Sequence, residues 1–222
     1  MKKIIILFAI FMIPVLSQAQ IWDTFKIDSA VSVKLPKGFT KTETDKKYSL
    51  VAISSFGTIL IFKIPDIPQV TPDIEKDRHL KNFYDDYIKS VKISSANALI
   101  TGEEDKLIGE FKVKDFTLQI DTGSGILFRD FRILHANSAT YTFEFLYQNI
   151  HKEYAIPERN KFFNSIEVNE NLSRSDQYTT QALNSDKPDN SKYLIWGIIV
   201  LILAGGLATI LVLLKWGQRR NS

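Results

Sequence analysis

Residues 140–147 read TYTFEFLY, and this stretch decides the fold because polar and aromatic residues alternate along it. The aromatic positions are Tyr141, Phe143, Phe145 and Tyr147. An alternation with a period of two places all four side chains on one face of a β-strand. The sequence therefore predicts a strand of a β-sheet whose aromatic face packs into the hydrophobic core.

Further β-strands are expected on both sides of this segment. Stretches with alternating or β-branched apolar residues cover 31–35, 48–54, 58–64, 98–101, 107–121 and 126–135. Phe56-Gly57 separates the second stretch from the third and favours a β-hairpin there. In the fifth stretch the apolar positions change face between Val113 and Phe116, which predicts a bulge or a bend.

Two helices are expected to pack on the sheet. Thr71, Pro72 and Asp73 form a helix-start pattern, with Thr as the cap and Pro at the first helical position. The apolar stripe of this helix is Leu80, Phe83, Tyr84, Tyr87, Ile88 and Val91. Pro157 is expected to open a last helix. This order of elements predicts an α+β domain, an antiparallel sheet with packed helices.

Four pieces of the sequence resemble the PsbP-like family, which includes the DcrB-type bacterial envelope proteins. The pieces are VSVKLPKGF at 31–39, LKNFYDDYIKSV at 80–91, FEFLYQN at 143–149 and KFFNSI at 161–166. The resemblance covers most of residues 24–168. It implies an α/β/α sandwich and a non-enzymatic accessory role at a membrane, and it transfers no binding or catalytic residue.

The N-terminus has the features of an export signal. Lys2 and Lys3 precede an apolar run over 4–16, and Ser17 and Ala19 are the small residues that a signal peptidase reads. We therefore expect a signal peptide over 1–19, cleaved between Ala19 and Gln20. The alternative is a retained N-terminal anchor, although the apolar run is short for a membrane span.

The segment 193–214 is uncharged over 22 residues and predicts one transmembrane helix. Lys215, Arg219 and Arg220 follow it, so the tail 215–222 is expected to be cytoplasmic by the positive-inside rule. With the export signal, this predicts a single-pass protein of the bacterial inner membrane with a periplasmic domain. Small residues four apart would allow helix–helix contact and a homodimer; they are Ala204, Ala208, Gly205 and Thr209.

Between these ends we expect a folded domain over 20–168 and a flexible linker over 169–192. The linker stretch is rich in Asn, Ser, Asp and Thr and has too few apolar residues for a core of its own. No cysteine is present, so the domain depends on its apolar core rather than on disulfides.

The charge distribution gives no reason to expect nucleic-acid binding. The formal net charge is +3, but five of the 28 basic residues lie in the two terminal segments. Residues 20–192, the domain and linker together, contain the remaining 23 basic residues and all 25 acidic ones, so they carry a net charge of −2. No basic stripe with interleaved aromatic residues is present.

The stretch LQIDTGSG, residues 118–125, is the one candidate for catalysis. Its residues 121–124, DTGS, match the active-site motif of aspartic proteases and would make Asp121 the catalytic residue. Such enzymes need two carboxylates that share a proton, so this chain would have to act as a dimer. The chain has no glycine between Gly125 and the terminal apolar segment, whereas those enzymes have glycine-bearing loops downstream. A hairpin turn is the favoured interpretation, and Asp121 remains only a weak catalytic candidate.

No cofactor or metal site is expected. His79, His135 and His151 are scattered and lack metal-ligand spacing, and the acidic run 103–105 lacks the alternation of an EF-hand loop. Gly123 and Gly125 are not followed by a third glycine or by a helix, so they do not form a dinucleotide loop.

These observations predict a membrane-anchored, non-enzymatic envelope protein that binds a protein partner or a small ligand. One alternative is a dimeric DTGS-type aspartic protease, and another is an accessory subunit of a membrane complex. The aromatic residues of the long helix and of 140–147 are expected mainly to pack together, and a ligand groove between helix and sheet is the second interpretation.

Overall fold

The computed structural model of the protein describes residues 20–44, 47–68, 70–95 and 98–179. The strands are β1 Trp22–Lys26, β2 Val31–Pro36, β3 Thr40–Thr44, β4 Lys47–Ile53, β5 Thr58–Pro65, β6 Ala98–Ile108, β7 Phe111–Asp121, β8 Ile126–Ala136, β9 Ala139–Gln148 and β10 Glu167–Val168. The helices are α1 Asp77–Ile93 and α2 Lys152–Phe163, with short 3-10 turns at Asn149–His151 and Arg174–Gln177.

The strands form two antiparallel sheets. The large sheet has the order β3-β4-β5-β9-β8-β7-β6, and the small sheet has the order β1-β2-β10. Helix α1 packs on one face of the large sheet, whereas α2 and the small sheet pack on the other face. The predicted α+β class with a mainly antiparallel sheet is therefore confirmed.

Strand β9 lies at the centre of the large sheet. Its residues 139–147 are all buried, so both faces of the strand are covered. Its aromatic residues belong to the core shared with α2 and the small sheet, including Phe162 and Val33. The stripe of α1 packs on the opposite face against Phe116, Phe131 and Ile133. Both aromatic sets lie in the core, as predicted, but the sheet separates them. The predictions that they pack on each other or line one groove are therefore wrong.

Helix α1 begins at Asp77, five residues later than the predicted first helical position, Pro72. Thr71 instead accepts a hydrogen bond from the amide of Ile67, at 2.9 Å. Ile74 forms an isolated antiparallel bridge with Thr179. This bridge needs an extended backbone, so a long-range contact overrides the local helix-start pattern.

Helix α2 begins before Pro157 rather than at it, since it starts at Lys152. Pro157 therefore lies inside the helix, where it cannot donate the usual backbone hydrogen bond to the carbonyl of Glu153. The predicted inward residues are confirmed, because Phe162, Phe163 and Ile166 are all buried.

The predicted bulge in β7 is wrong, because the pairing of β7 with β8 keeps one register from Val113 to Asp121. The apolar positions change face because β7 is covered on both sides. Phe111 and Val113 face the α2 core, and Phe116 and Leu118 face the α1 core. The irregularity lies instead in β6, between Thr101 and Glu104.

The domain continues past Val168, where the sequence analysis placed its end. Residues 169–179, which we call the C-terminal strap, lie against the domain: the Asn169 amide donates to the carbonyl of Ala30 at 2.8 Å, and Leu172 packs on the core. Gln177 is fully buried near the other end of the strap. The first part of the predicted linker is therefore ordered, and residues 180–192 lie outside the described chain.

Among the described residues, no helix is both long enough and apolar enough to cross a membrane. The predicted signal peptide, 1–19, and the predicted membrane segment and tail, 193–222, lie outside those residues. These predictions stay predictions.

Truncating the core residues Leu80 and Phe143 to alanine is expected to lower the free energy of unfolding by roughly 2 to 5 kcal/mol each. Both side chains are essentially inaccessible to solvent, and they fill the cores on opposite faces of the sheet. Urea unfolding of the single variants tests this expectation. An unchanged midpoint for either variant would contradict the assigned core on that face.

Candidate functional site

The predicted catalytic residue, Asp121, lies in the exposed turn that joins β7 to β8. Its Oδ1 atom accepts a hydrogen bond from the Gly123 amide at 2.8 Å, and the Thr122 hydroxyl donates to the carbonyl of Gly125 at 2.7 Å. Gly123 has a φ of 76°, a conformation that favours glycine. These contacts are those of a hairpin turn, which is the interpretation that the sequence favoured.

Asp121→Asn is expected to change the free energy of unfolding by about 1 kcal/mol or less, because the residue is exposed and an amide oxygen can still accept the turn hydrogen bond. The matched assay is hydrolysis of a peptide library by the purified protein at acid pH, with and without an aspartic-protease inhibitor. Inhibitor-sensitive cleavage that disappears in this variant would establish the protease alternative instead.

The histidines lie in three separate places. His79 on α1 is 3.9 Å from the Glu75 carboxylate, and His151 lies beside the ring of Phe56. His135 is buried, with Nε2 3.2 Å from Asp66 and Nδ1 2.9 Å from the carbonyl of Gln177. Within the described residues, no group of three or more His, Cys, Asp or Glu is placed to hold a metal ion.

A buried ion pair lies in the central strands beneath α1. Arg129 on β8 and Glu144 on β9 are both fully buried, and Arg129 Nη2 donates to Glu144 Oε2 at 2.6 Å. They share the α1 face, because Phe131 and Ile133 of β8 pack on the helix and Thr142 of β9 hydrogen-bonds Tyr87 of α1 at 2.8 Å. We call Arg129 and Glu144 the buried pair.

The buried pair uses only part of its hydrogen-bonding capacity. Arg129 Nε and Nη1 and Glu144 Oε1 are buried and make no hydrogen bond to any other described residue. Arg132 on the opposite face makes a bidentate contact with Asp115, both bonds 2.7 Å, and also donates to the carbonyl of Phe163. Among these described residues, Arg132 therefore makes three hydrogen bonds to the protein, whereas Arg129 makes one.

Burial raises the pKa of the Glu144 carboxyl above its ordinary value, and the neighbouring Arg129 opposes that rise. Burial also raises the pKa of the Tyr87 phenol, which therefore stays neutral in the physiological range. The Arg129 guanidinium lies 5.0 Å from the centre of the Phe131 ring, a cation–π distance. An aromatic ring and a neutral phenol thus lie beside the pair.

The C-terminal strap makes a second cluster of polar contacts at the opposite end of the sheet from the Asp121 turn. Gln177 accepts a hydrogen bond from the Lys112 amide at 2.7 Å and donates to the carbonyls of Lys112 and His135. Asp77 at the start of α1 contacts Lys112, Tyr178 and Arg174, and these groups hold the pKa of its carboxyl well below the usual value. The strap therefore ties the end of the domain to α1 and β7.

Exposed apolar side chains gather at the other end, around the turn between β4 and β5. Phe56 in this turn stacks on Tyr154 of α2, with ring centres 5.1 Å apart, and Ile150 and Ile53 beside them are largely exposed. We call Ile53, Phe56, Ile150 and Tyr154 the apolar tip. The turn is held close to β9, because a Cβ atom at Gly57 would lie only 2.5 Å from the Phe145 ring.

Sequence reasoning did not find the buried pair. It assigned only the aromatic positions of 140–147 to the core, and alternation turns Glu144 outward in a sheet that is covered on one side. A local signal does exist for Glu144, which lies between Phe143 and Phe145 in TFEFL at 142–146, whereas Arg129 has Asp130 as its neighbour. This pattern shows a buried charge only once both sheet faces are known to be covered.

Comparison with known proteins gives likeness of fold only. No protein-family model and no curated protein sequence matches the chain. PA94 of Pseudomonas aeruginosa, a protein of unknown function, shares 9% identity at a TM-score of 0.37, covering 63% of this chain and 94% of PA94. LpqN, involved in cell envelope biogenesis of Mycobacterium tuberculosis, shares 10% identity at a TM-score of 0.39, covering 67% and 90%.

A Bacteroides thetaiotaomicron structure is similar at 10% identity and a TM-score of 0.33. The match covers 64% of this chain but only 46% of that protein. None of the three is described as PsbP-like or DcrB-type, so that resemblance rests on the sequence pieces alone.

Proposed function

We propose that this chain is a membrane-tethered, non-enzymatic envelope protein whose periplasmic domain binds a protein partner through the apolar tip. The observation that carries the proposal is the uneven distribution of exposed apolar side chains over the two ends of the domain. Within the described chain, four of the eight exposed large apolar residues form the apolar tip, and Leu107 lies at the strap end. The other three are Ile21, Ile93 and Leu99.

The strap sets where the tether leaves the domain. Thr179 pairs with Ile74, and its hydroxyl donates to Asp66 at 3.0 Å, so the chain exits beside the start of α1. The tip lies at the far end of strands such as β8, whose 11 residues span about 36 Å. The predicted tether would therefore begin at the end of the domain that lies opposite the tip.

The chemistry of the tip favours a protein partner. Aromatic and aliphatic side chains grouped on a surface are typical of the core of protein interfaces, whereas isolated exposed apolar residues are ordinary. The Phe56 amide is held by the Glu158 carboxylate at 3.1 Å, so the turn and α2 present the tip as one preformed surface. Preformed surfaces lose less conformational entropy on binding.

The proposed location is supported by the predicted export signal and by the basic residues after 214. The proposed accessory role is supported by the resemblance to PsbP-like proteins. The mature chain would begin at Gln20 and have its C-terminus in the cytoplasm. Mass spectrometry of the purified protein and protease accessibility in spheroplasts test both features. An intact Met1, or a domain protected from external protease, would contradict this part of the proposal.

The partner is tested by photo-crosslinking of the full chain in cells. p-Benzoylphenylalanine at Tyr154 or Phe56 is expected to give one discrete heterologous adduct. The same probe at Leu107 is the control, since Leu107 lies at the opposite end and is as exposed as Tyr154. The adduct from Tyr154 should be lost when Ile150→Ser is added. Adducts of equal strength from Leu107, or adducts that Ile150→Ser leaves unchanged, would refute the tip as the docking surface. An adduct of twice the monomer mass would show that the partner is a second copy of this chain rather than another protein.

A further inference from the structure

We propose that the cleft between the β6–β7 turn and the C-terminal strap binds an organic cation, a small molecule that carries an ammonium or guanidinium group on an apolar body. This cleft, which we call the strap cleft, has a volume of about 440 Å³. Small-molecule sites in proteins usually measure about 300 to 1,000 Å³. The strap cleft lies at the end of the domain opposite the apolar tip, so the two surfaces are separate.

Four apolar side chains line the strap cleft. One of them, Phe111, is buried in the core, whereas the other three are half-buried and pack against that core with part of their surface open to solvent. The four are Ile108, Phe111, Val168 and Leu172. Covering this surface with an apolar body removes it from water, which favours binding.

Both walls of the strap cleft are held in place by their own hydrogen bonds. On one side, the pairing of β6 with β7 continues as far as Ile108 and Phe111, directly before the turn. On the other side, the Asn169 side chain donates to the carbonyl of Ser29 at 2.9 Å, and the Leu172 amide donates to the carbonyl of Asn169 at 2.9 Å. The cleft is therefore preformed, and a ligand would not have to order either wall.

The charge of the lining selects the class of ligand. The two charged residues that line the strap cleft, Glu110 and Glu170, are both acidic and exposed. Neither carboxylate forms an ion pair with a cation of the described chain. Arg174 lies beside the cleft and donates to the carbonyl of Glu110 at 3.4 Å, but its guanidinium is paired with Asp77. A bound anion would therefore meet two like charges, whereas both carboxylates attract a cation.

An organic cation fits this lining better than a metal ion does. Calcium, for example, takes about six to eight oxygen ligands, and within the described residues no group of three or more His, Cys, Asp or Glu is placed to hold a metal ion. A metal ion would also leave the apolar walls exposed. A cationic group on an apolar body contacts both kinds of lining, so alkyl amines and guanidines are the class of ligand that matches the cleft.

The test uses three probes that share a cyclohexyl body and differ in charge: cyclohexylmethylammonium, cyclohexylmethanol and cyclohexanecarboxylate. The full chain is placed in nanodiscs of zwitterionic lipid, and methyl NMR follows Ile108, Val168 and Leu172, so that binding to the lipid is not counted. These methyl signals are expected to shift and saturate with the ammonium probe. Its dissociation constant should lie about fivefold below that of the alcohol, a factor that corresponds to about 1 kcal/mol. The carboxylate should bind more weakly than the alcohol. Equal dissociation constants for the three probes, or no saturable shift at these methyl groups, would overturn the proposal.

The double variant Glu110→Gln with Glu170→Gln removes both charges and keeps the size of the two exposed side chains. Its affinity for the ammonium probe should fall to that for the alcohol, and its affinity for the alcohol should equal that of the parent. The matched control, Glu103→Gln with Glu43→Gln, removes two exposed carboxylates on β6 and β3 and should bind all three probes as the parent does. Ammonium binding that is unchanged in the cleft variant, or equally reduced in the control, would refute the site. Displacement of the ammonium probe by an equal concentration of calcium would show that the carboxylates hold a metal ion instead and would also overturn the proposal.

Discussion

Glu144→Leu is expected to lower the free energy of unfolding by about 3 to 5 kcal/mol. The substitution leaves the Arg129 guanidinium buried among apolar groups with no counter-charge, and an uncompensated buried charge costs far more than a lost hydrogen bond. Urea unfolding followed by circular dichroism measures the effect. The double variant, Arg129→Met with Glu144→Leu, should recover most or all of the lost stability, because both charges are then absent.

The comparison with an exposed glutamate separates burial from residue type. Glu103→Leu on β6 removes an exposed carboxylate and should change the free energy of unfolding by no more than about 0.5 kcal/mol. If Glu144→Leu were as mild as Glu103→Leu, or if the double variant were as unstable as the single one, the buried pair would not have the energetic role described above.

Ending the domain at Val168 instead of Thr179 is expected to lower the free energy of unfolding by at least about 3 kcal/mol, because the loss leaves buried backbone groups without partners. Gln177 alone makes three hydrogen bonds, to the amide and carbonyl of Lys112 and to the carbonyl of His135. Leu172 and Tyr178 would also leave the apolar surfaces on which they pack. Chemical unfolding of fragments 20–168 and 20–179 tests this expectation.

Gln177→Leu in the longer fragment is the finer test of the strap. It keeps a side chain of similar size in the same place but removes all three hydrogen bonds, so it should show a large part of the loss. Equal stability of the two fragments would mean that the strap lies on a domain that is already complete without it.

The core was largely predictable from the sequence, because burial produces periodic patterns in the order of apolar and polar residues. The stripe of α1 follows helical spacing, and Leu80, Tyr84, Tyr87, Ile88 and Val91 are buried as expected. The aromatic alternation of β9 likewise gave the correct face. These patterns are local, since neighbouring positions along one element carry the whole signal.

The element boundaries that failed were those set by distant contacts. The helix-start pattern at Thr71 is a sound local signal, but pairing of Ile74 with Thr179 holds that stretch extended. The polar composition of the strap predicted a flexible linker. Gln177, a polar residue, is fully buried there, since the backbone groups that it satisfies belong to β7 and β8, far away in sequence.

By itself, the sequence determined the α+β class, the strand and helix faces that form the core, and the hairpin nature of the Asp121 turn, because each depends on short-range periodicity or turn chemistry. Only the tertiary structure decided which faces meet. It placed α1 and the β9 aromatics on opposite sides of the sheet, and this arrangement buried Glu144 beside Arg129. It also brought Phe56 and Tyr154 together at one end of the domain and the strap to the other. These are contacts between residues far apart in the chain, and no local pattern encodes which of two faces a helix will cover.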